Sequence, residues 1–249
     1  MPPPGSEQRD MPEIAIVAAL EREILPMIKD WRVSEQSHAG KRFHFFEAGN
    51  CMAVCGGIGP GAARRAAEAI IAICRPTILE SVGFAGALEP GLRVGDVLEI
   101  RQVIDAADGS RTDTGSGDST LVSFSSVAGT DQKRKLATSY GARLVDMEAA
   151  AVAKSAQAHG LEFRATKVIS DEICFSMPPV ERFITSDGQF RSAQFALHVA
   201  IRPWMWAAAL QLGRNSTRAA NALCVHLQRN RESIRAAAHP IPATEGSRP

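Results

Sequence analysis

The sequence has no excess of either charge: 28 Lys and Arg stand against 27 Asp and Glu, a net charge of +1. That excludes the strongly basic surface of a generic nucleic-acid binder, so no nucleic-acid partner is expected. No apolar run reaches the roughly 18 residues of a membrane-spanning helix. The five cysteines are odd in number and contain no Cys-x-x-Cys pair. This argues against a disulfide frame and fits buried thiols in a reducing compartment. The six histidines lie far apart, none at helical spacing from another, so no metal site is expected. The stretch from Met1 to Asp10 is Pro-rich and polar and lacks the apolar core of a signal peptide, which points to a cytoplasmic location.

What is present is an ordinary globular composition, 45% hydrophobic and 22% charged over 249 residues. A chain of this length buries roughly 70–75% of its unfolded surface. One domain is expected over 13–235, with a helical extension from about 190, between disordered tails at 1–12 and 236–249. Charge is uneven along it. Residues 201–249 carry seven Arg against two Glu, which leaves residues 1–200 net acidic. A basic helical end of this kind is either a solvated face or a contact for an anionic surface.

Glu13 to Ala19 reads as a buried strand and Leu20 to Trp31 as the helix after it, interrupted by Pro26. Arg42–Glu47 and Cys51–Cys55 read as a hairpin around Gly49-Asn50. Cys51 and Cys55 stand about 13 Å apart along an extended strand, too far to bridge. Pro60 to Cys74 is a helix with Pro in its first turn and a stripe of Ala62, Ala66, Ala69, Ile70 and Ile73. Thr77–Val82 is a strand ending in the turn Gly83-Phe84-Ala85-Gly86. Further strands are expected at Val94–Val103, Thr120–Ala128, Arg143–Val145 and Phe163–Ser170, with a loop over Ala107–Ser119 and a helix over Met147–His159. Helices follow at Pro179–Ile184, Ser192–Arg202, Trp204–Leu212 and Ser216–Arg231. This alternation predicts an α/β fold: a three-layer sandwich with a mixed, mostly parallel central sheet flanked by helices, plus C-terminal helices.

Ligands of open α/β sheets gather at the carboxyl ends of strands. Those ends supply Glu21-Arg22-Glu23, Gly57-Ile58-Gly59, Gly83-Phe84-Ala85-Gly86, Asp146-Met147-Glu148 and Ser170-Asp171-Glu172. Carboxylates and glycine turns together suit a hydroxyl-rich ligand and acid–base chemistry. Singly, each has a plain structural reading. The glycine loop fails the dinucleotide spacing, Glu23 suits a helix first turn, and Asp146, Glu148 and Asp171 suit helix starts.

In order, Ala18-Ala19-Leu20-Glu21-Arg22-Glu23, Gly57-Ile58-Gly59, Gly83-Phe84-Ala85-Gly86, Val145-Asp146-Met147-Glu148-Ala149 and Val168-Ile169-Ser170-Asp171 resemble the nucleoside phosphorylase/nucleosidase superfamily. Over about residues 13–175 the motifs are most similar to methylthioadenosine/S-adenosylhomocysteine nucleosidases. Beyond Phe175, Met177-Pro178-Pro179, Glu181-Arg182-Phe183, Asp187-Gly188, Arg202-Pro203-Trp204 and Asn215-Ser216 resemble the hopanoid-associated phosphorylase branch, linked to removal of adenine from adenosylhopane.

The resemblance implies cleavage of the N-glycosidic bond of a 5′-substituted adenosine, with water or phosphate as second substrate and no cofactor. It makes Asp171 the acid that protonates the purine, which asks for burial or a neighbouring acid to keep its proton. It makes Glu23 the residue that positions and deprotonates the attacking water, and Glu148 the acceptor of the ribose hydroxyls. Met147 would pack on the sugar, while Gly59, Phe84, Ala85 and Gly86 would line the substrate site. The position of the phosphate-binding Arg of many superfamily phosphorylases is Ser81 here, and the neighbouring hydroxyl position is Phe84, which favours water. The segment Ser126–Gln132, aromatic in the family, has no ring here, and Phe84 or Phe175 is expected to stack on the base instead. A homodimer is implied as well. Trp204 and Trp206 beside the basic helix read either as helix-packing core or as a membrane-edge contact for a lipid-bearing substrate.

Overall fold

The computed structural model describes residues 12–238. In chain order the elements are β1 (Ile14–Ala18), α1 (Glu21–Ile28), β2 (Arg32–His38), β3 (Lys41–Ala48), β4 (Cys51–Cys55), α2 (Pro60–Cys74), β5 (Ile78–Ala87), β6 (Val97–Asp105), β7 (Arg111–Asp113), β8 (Ser119–Ser123), α3 (Thr130–Tyr140), β9 (Leu144–Asp146), α4 (Ala149–Ala158), β10 (Glu162–Asp171), α5 (Ser192–Ala200) and α6 (Trp206–Ala238). Short 3-10 turns at Val180–Phe183 and Pro203–Met205 precede the last two helices. The tails expected at 1–12 and 236–249 lie outside the described residues, apart from Pro12 and the end of α6.

The strands form one mixed sheet in the order β10-β6-β8-β9-β5-β1-β4-β3-β2, with β7 on β6. β4, β1, β5 and β10 run parallel, and β2, β3 and β4 form an antiparallel edge. β10 pairs with β6 on one side and β5 on the other, so β5, β9, β8, β6 and β10 close into a ring. The α/β architecture is as expected; the ring is not visible in element order, because its closure depends on one strand finding two distant partners. α2 and α4 pack together on one face of the sheet and α1 and α6 on the other.

Local chemistry explains the elements. α1 buries Glu23, Ile24, Met27 and Ile28 on one side, and it ends soon after Pro26, which has no N–H to offer. α2 starts from Gly59 at φ 95°, with Pro60 at its first position. Its alanines, Ala62, Ala63, Ala66, Ala67 and Ala69, are buried and allow close approach to the sheet.

Several expectations are corrected. β5 runs on to Ala87, so Gly83-Phe84-Ala85-Gly86 is strand and not a turn. Glycine within a strand marks close approach by a neighbour, and the neighbours here are site residues. The polar 107–119 stretch contains β7. The two expected helices Trp204–Leu212 and Ser216–Arg231 are one continuous α6 that passes through Gly213; glycine weakens a helix by about 1 kcal/mol without ending it. β2 and α3 were not expected. α3 hid because its buried face, Lys133 and Leu136, has a lysine where an apolar stripe would be sought. Among the described residues no helix is long and apolar enough to cross a membrane.

Candidate active site

A cavity of about 480 Å³ opens at the carboxyl ends of β1, β5, β9 and β10, a volume in the range of small-molecule sites. Glu23, Phe84, Ala85, Gly86, Met147, Glu148 and Asp171 all line it. Gly59 does not, but its amide donates to Glu148 Oε1 at 2.7 Å and so fixes that side chain from the start of α2. The structure therefore brings the expected residues together around one space.

Glu23 is buried and its Oε2 has no hydrogen-bond partner in the protein. Burial pushes its carboxyl up to about 7, and the charges of Lys167 and Arg22 only partly pull it back. Oε2 is turned toward Gly83 of β5, and the residue itself lines the cavity. Glu148 Oε1 receives the Gly59 amide, and Oε2 receives Met147 N–H at 3.2 Å. Burial, with the negative charge of Asp146 added, pushes Glu148 up to about 8. A carboxylate so held against water is primed to gain from hydroxyl donors, which favour its charged form.

Asp146, at the end of β9, has a structural task. Its Oδ1 accepts from Ser123 Oγ at 2.6 Å and its Oδ2 from Ala149 N–H at 2.9 Å, tying β8, β9 and α4. Lys167 Nζ, on the buried strand β10, lies 2.9 Å from Asp146 Oδ2 and donates to Ser81 Oγ at 2.9 Å.

Asp171 stands at a bulge. Ile169 pairs with Ala85 and Asp171 with Gly86, so Ser170 is the extra residue in β10. Bulges re-aim side chains, and this one presents Asp171 to the cavity. Its Oδ1 accepts from Ser170 Oγ at 2.7 Å. Its Oδ2 forms an ion pair with Lys133, a lysine 1% exposed. Of the two alternatives expected, burial or a neighbouring acid, Asp171 is buried, and its neighbouring group is an ammonium.

Sequence reasoning missed both buried lysines. Lys167 left a signal: a lysine inside an otherwise apolar strand needs an acidic partner when buried. Lys133 left none, since it falls in a polar run. The aromatic wall was also misplaced. Phe84 lines the cavity as expected, whereas Phe175 does not; Phe190 and Phe195, from the chain after β10, do. Arg22, another lining residue, has its guanidinium 5.3 Å from the Phe190 ring centre.

The sequence pattern of the phosphorylase superfamily matches residues 13–127 and 120–200. The chain belongs to the phosphorylase superfamily. It is accordingly an enzyme of the N-glycosidase type, a nucleosidase or nucleoside phosphorylase. No curated protein matches it. Among solved structures it is similar to the 5′-methylthioadenosine nucleosidase of Arabidopsis thaliana, at 18% identity and a TM-score of 0.68, covering 91% of this chain and 97% of that one. It is similar to the 5′-methylthioadenosine/S-adenosylhomocysteine nucleosidase of Helicobacter pylori, at 18% identity and a TM-score of 0.66, covering 88% and 97%. The futalosine hydrolase of Helicobacter pylori also shares the fold, at 18% identity and a TM-score of 0.61, covering 87% and 97%.

Proposed function

We propose that this chain hydrolyses the N-glycosidic bond of a 5′-substituted adenosine and releases adenine. The observation that carries this reading is the convergence of Glu23, Glu148 and Asp171 from three strand ends on one cavity. Breaking the bond builds positive charge on the ribose and negative charge on the base. Glu148 accepts the ribose hydroxyls and, charged, favours the cationic sugar. Glu23 takes a proton from the attacking water. Asp171 delivers a proton to the departing base, and Met147 and Phe84 provide apolar walls.

Water is favoured over phosphate by charge. An attacking phosphate needs free cations and donors. Lys167 is engaged by Asp146 and Ser81, and Arg22 is stacked against Phe190. Glu23 and Glu148 add acidity on the same side.

A second reading, phosphorolysis of adenosylhopane, draws on the other wall. Met177, Val180, Ile184, Phe195 and Leu212 make it apolar. Beyond it, Leu197, Ile201, Trp204 and Leu210 are each more than 60% exposed, so Trp204 is not helix-packing core. Trp206 is half exposed while its Nε1 donates to Val199 O. An apolar, arginine-bearing surface at the mouth suits a substrate whose 5′ group lies in a bilayer. A homodimer and a cytoplasmic location belong to the same proposal; the five free cysteines suit a reducing compartment.

The test is a panel of nucleosides varied at the 5′ position, from methylthioadenosine to adenosylhopane, incubated with and without phosphate. Free ribose product supports hydrolysis, a 1-phosphate supports phosphorolysis, and binding without adenine release identifies a non-catalytic nucleoside-binding protein. Co-sedimentation with anionic liposomes, lost in Arg214→Glu/Arg218→Glu, supports the membrane contact.

A further inference from the structure

We propose that Lys133 supplies the proton that Asp171 passes to the leaving base, so that the two side chains work as one acid. This step rests on the function proposed above and deepens it. As the protein stands, Asp171 is placed to accept and not to donate. Its Oδ1 receives the Ser170 hydroxyl and its Oδ2 faces the Lys133 ammonium. A carboxylate engaged this way has no proton of its own for a purine nitrogen. The nearest mobile protons are those of Lys133 Nζ.

The placement of Lys133 is costly for any purely structural purpose. It is 1% exposed. It also lies in the first turn of α3, where the helix dipole opposes a positive charge. It is held there by Asp171 Oδ2 and by the carbonyls of Asp171, at 3.4 Å, and Glu172, at 2.9 Å. The sheet makes room for it. A Cβ on Gly86 would stand 3.0 Å from Asp171 Oδ2 and 3.0 Å from Lys133 Cε. Gly86 thus leaves the space that the pair fills, and both residues line the cavity.

The step balances without any further reagent. As the bond from C1′ to the base breaks, its electron pair moves into the purine. Lys133 Nζ gives a proton to the Asp171 carboxylate, becoming a neutral amine, and Asp171 passes a proton to a purine nitrogen, returning to carboxylate. Water adds its oxygen to C1′ and gives one proton to Glu23. After the products leave, that proton returns through solvent to Lys133. The sum is nucleoside plus water giving sugar plus neutral base.

The experiment compares Lys133→Met and Lys133→Arg with the unmodified protein, measuring kcat and KM on 5′-methylthioadenosine from pH 5 to 8, with thermal melts to verify folding. Arg retains the charge and the pairing but does not release a proton. A proton-supplying lysine predicts that both variants lose about 10²-fold or more in kcat at neutral pH, the scale of general acid catalysis, with KM changed by less than about threefold. The ratio of Lys133→Met to unmodified activity climbs as pH falls, because solvent then loads Asp171 directly. The ratio for Lys133→Arg stays low. Restoration of neutral-pH activity by Arg, or a pH-independent ratio for Met, overturns the step while leaving the glycosidase reading standing. Failure of the unmodified protein to release base from any nucleoside of the panel overturns both.

Discussion

Glu23 Oε2 lies 2.5 Å from the point where a Cβ on Gly83 would stand, and Gly83 holds φ at +146°. Strand β5 therefore tolerates only glycine where it passes the carboxylate. In Gly83→Ala the added methyl drives Glu23 away from its seat. We expect kcat to fall by about 10²-fold or more, the worth of a positioned base. The backbone strain adds a stability loss of about 1–3 kcal/mol. Steady-state kinetics and a thermal melt check both.

A base must be deprotonated to work. With the Glu23 carboxyl pushed up to about 7 and that of Glu148 to about 8 by burial, kcat/KM rises with pH and levels off only above about 8. Glu23→Gln lowers the plateau by about 10²–10⁴-fold and reduces the acid limb from two ionisations to the one of Glu148. A pH–rate profile of the two proteins on methylthioadenosine is the measurement.

The same shifts fix how stability responds to pH. Glu23 and Glu148 are raised from 4.5 to about 7 and about 8. Between the ordinary and the raised values the folded state binds more protons than the unfolded state, so this contribution falls as pH rises. It is complete below about pH 4.5 and lost through pH 7 to 8. Melting temperature of the ligand-free protein should rise as pH is lowered from 8.5 to 6. Glu148→Gln should flatten that slope.

Lys167 and Asp146 form a buried pair, at 1% and 0% side-chain exposure. Lys167→Met leaves a buried carboxylate without its cation and should cost about 3–5 kcal/mol of stability. Adding Asp146→Asn should recover part of that loss. Urea unfolding of both variants decides, and additivity of the two changes would contradict the pairing.

Much of the fold was legible because strands such as Ile14–Ala18 and helices such as Pro60–Cys74 are apolar runs with local punctuation. The carboxylates that line the cavity were legible because each lies at or within a few residues of a strand's carboxyl end. What was not legible depends on distant partners. The ring closes only when β10 finds both β5 and β6. Gly83 and Gly86 look like turn residues until Glu23 and the Lys133–Asp171 pair are seen pressing against them. Lys133 carries no local mark, since its meaning comes from Asp171, 38 positions later. Phe190 and Phe195 belong to a stretch whose periodicity reports only helix and turn.

The cavity is assembled from two sources. The acids come from residues up to 171, Glu23 from the first turn of α1, Glu148 from the start of α4 and Asp171 from the end of β10, while much of the apolar wall comes from the chain after 176. Substitutions confined to lining residues such as Met177, Val180 and Ile184 are therefore expected to alter which 5′ group fits while leaving the three carboxylates in place, whereas α6 as a whole also holds α1 down through Leu223 and Cys224.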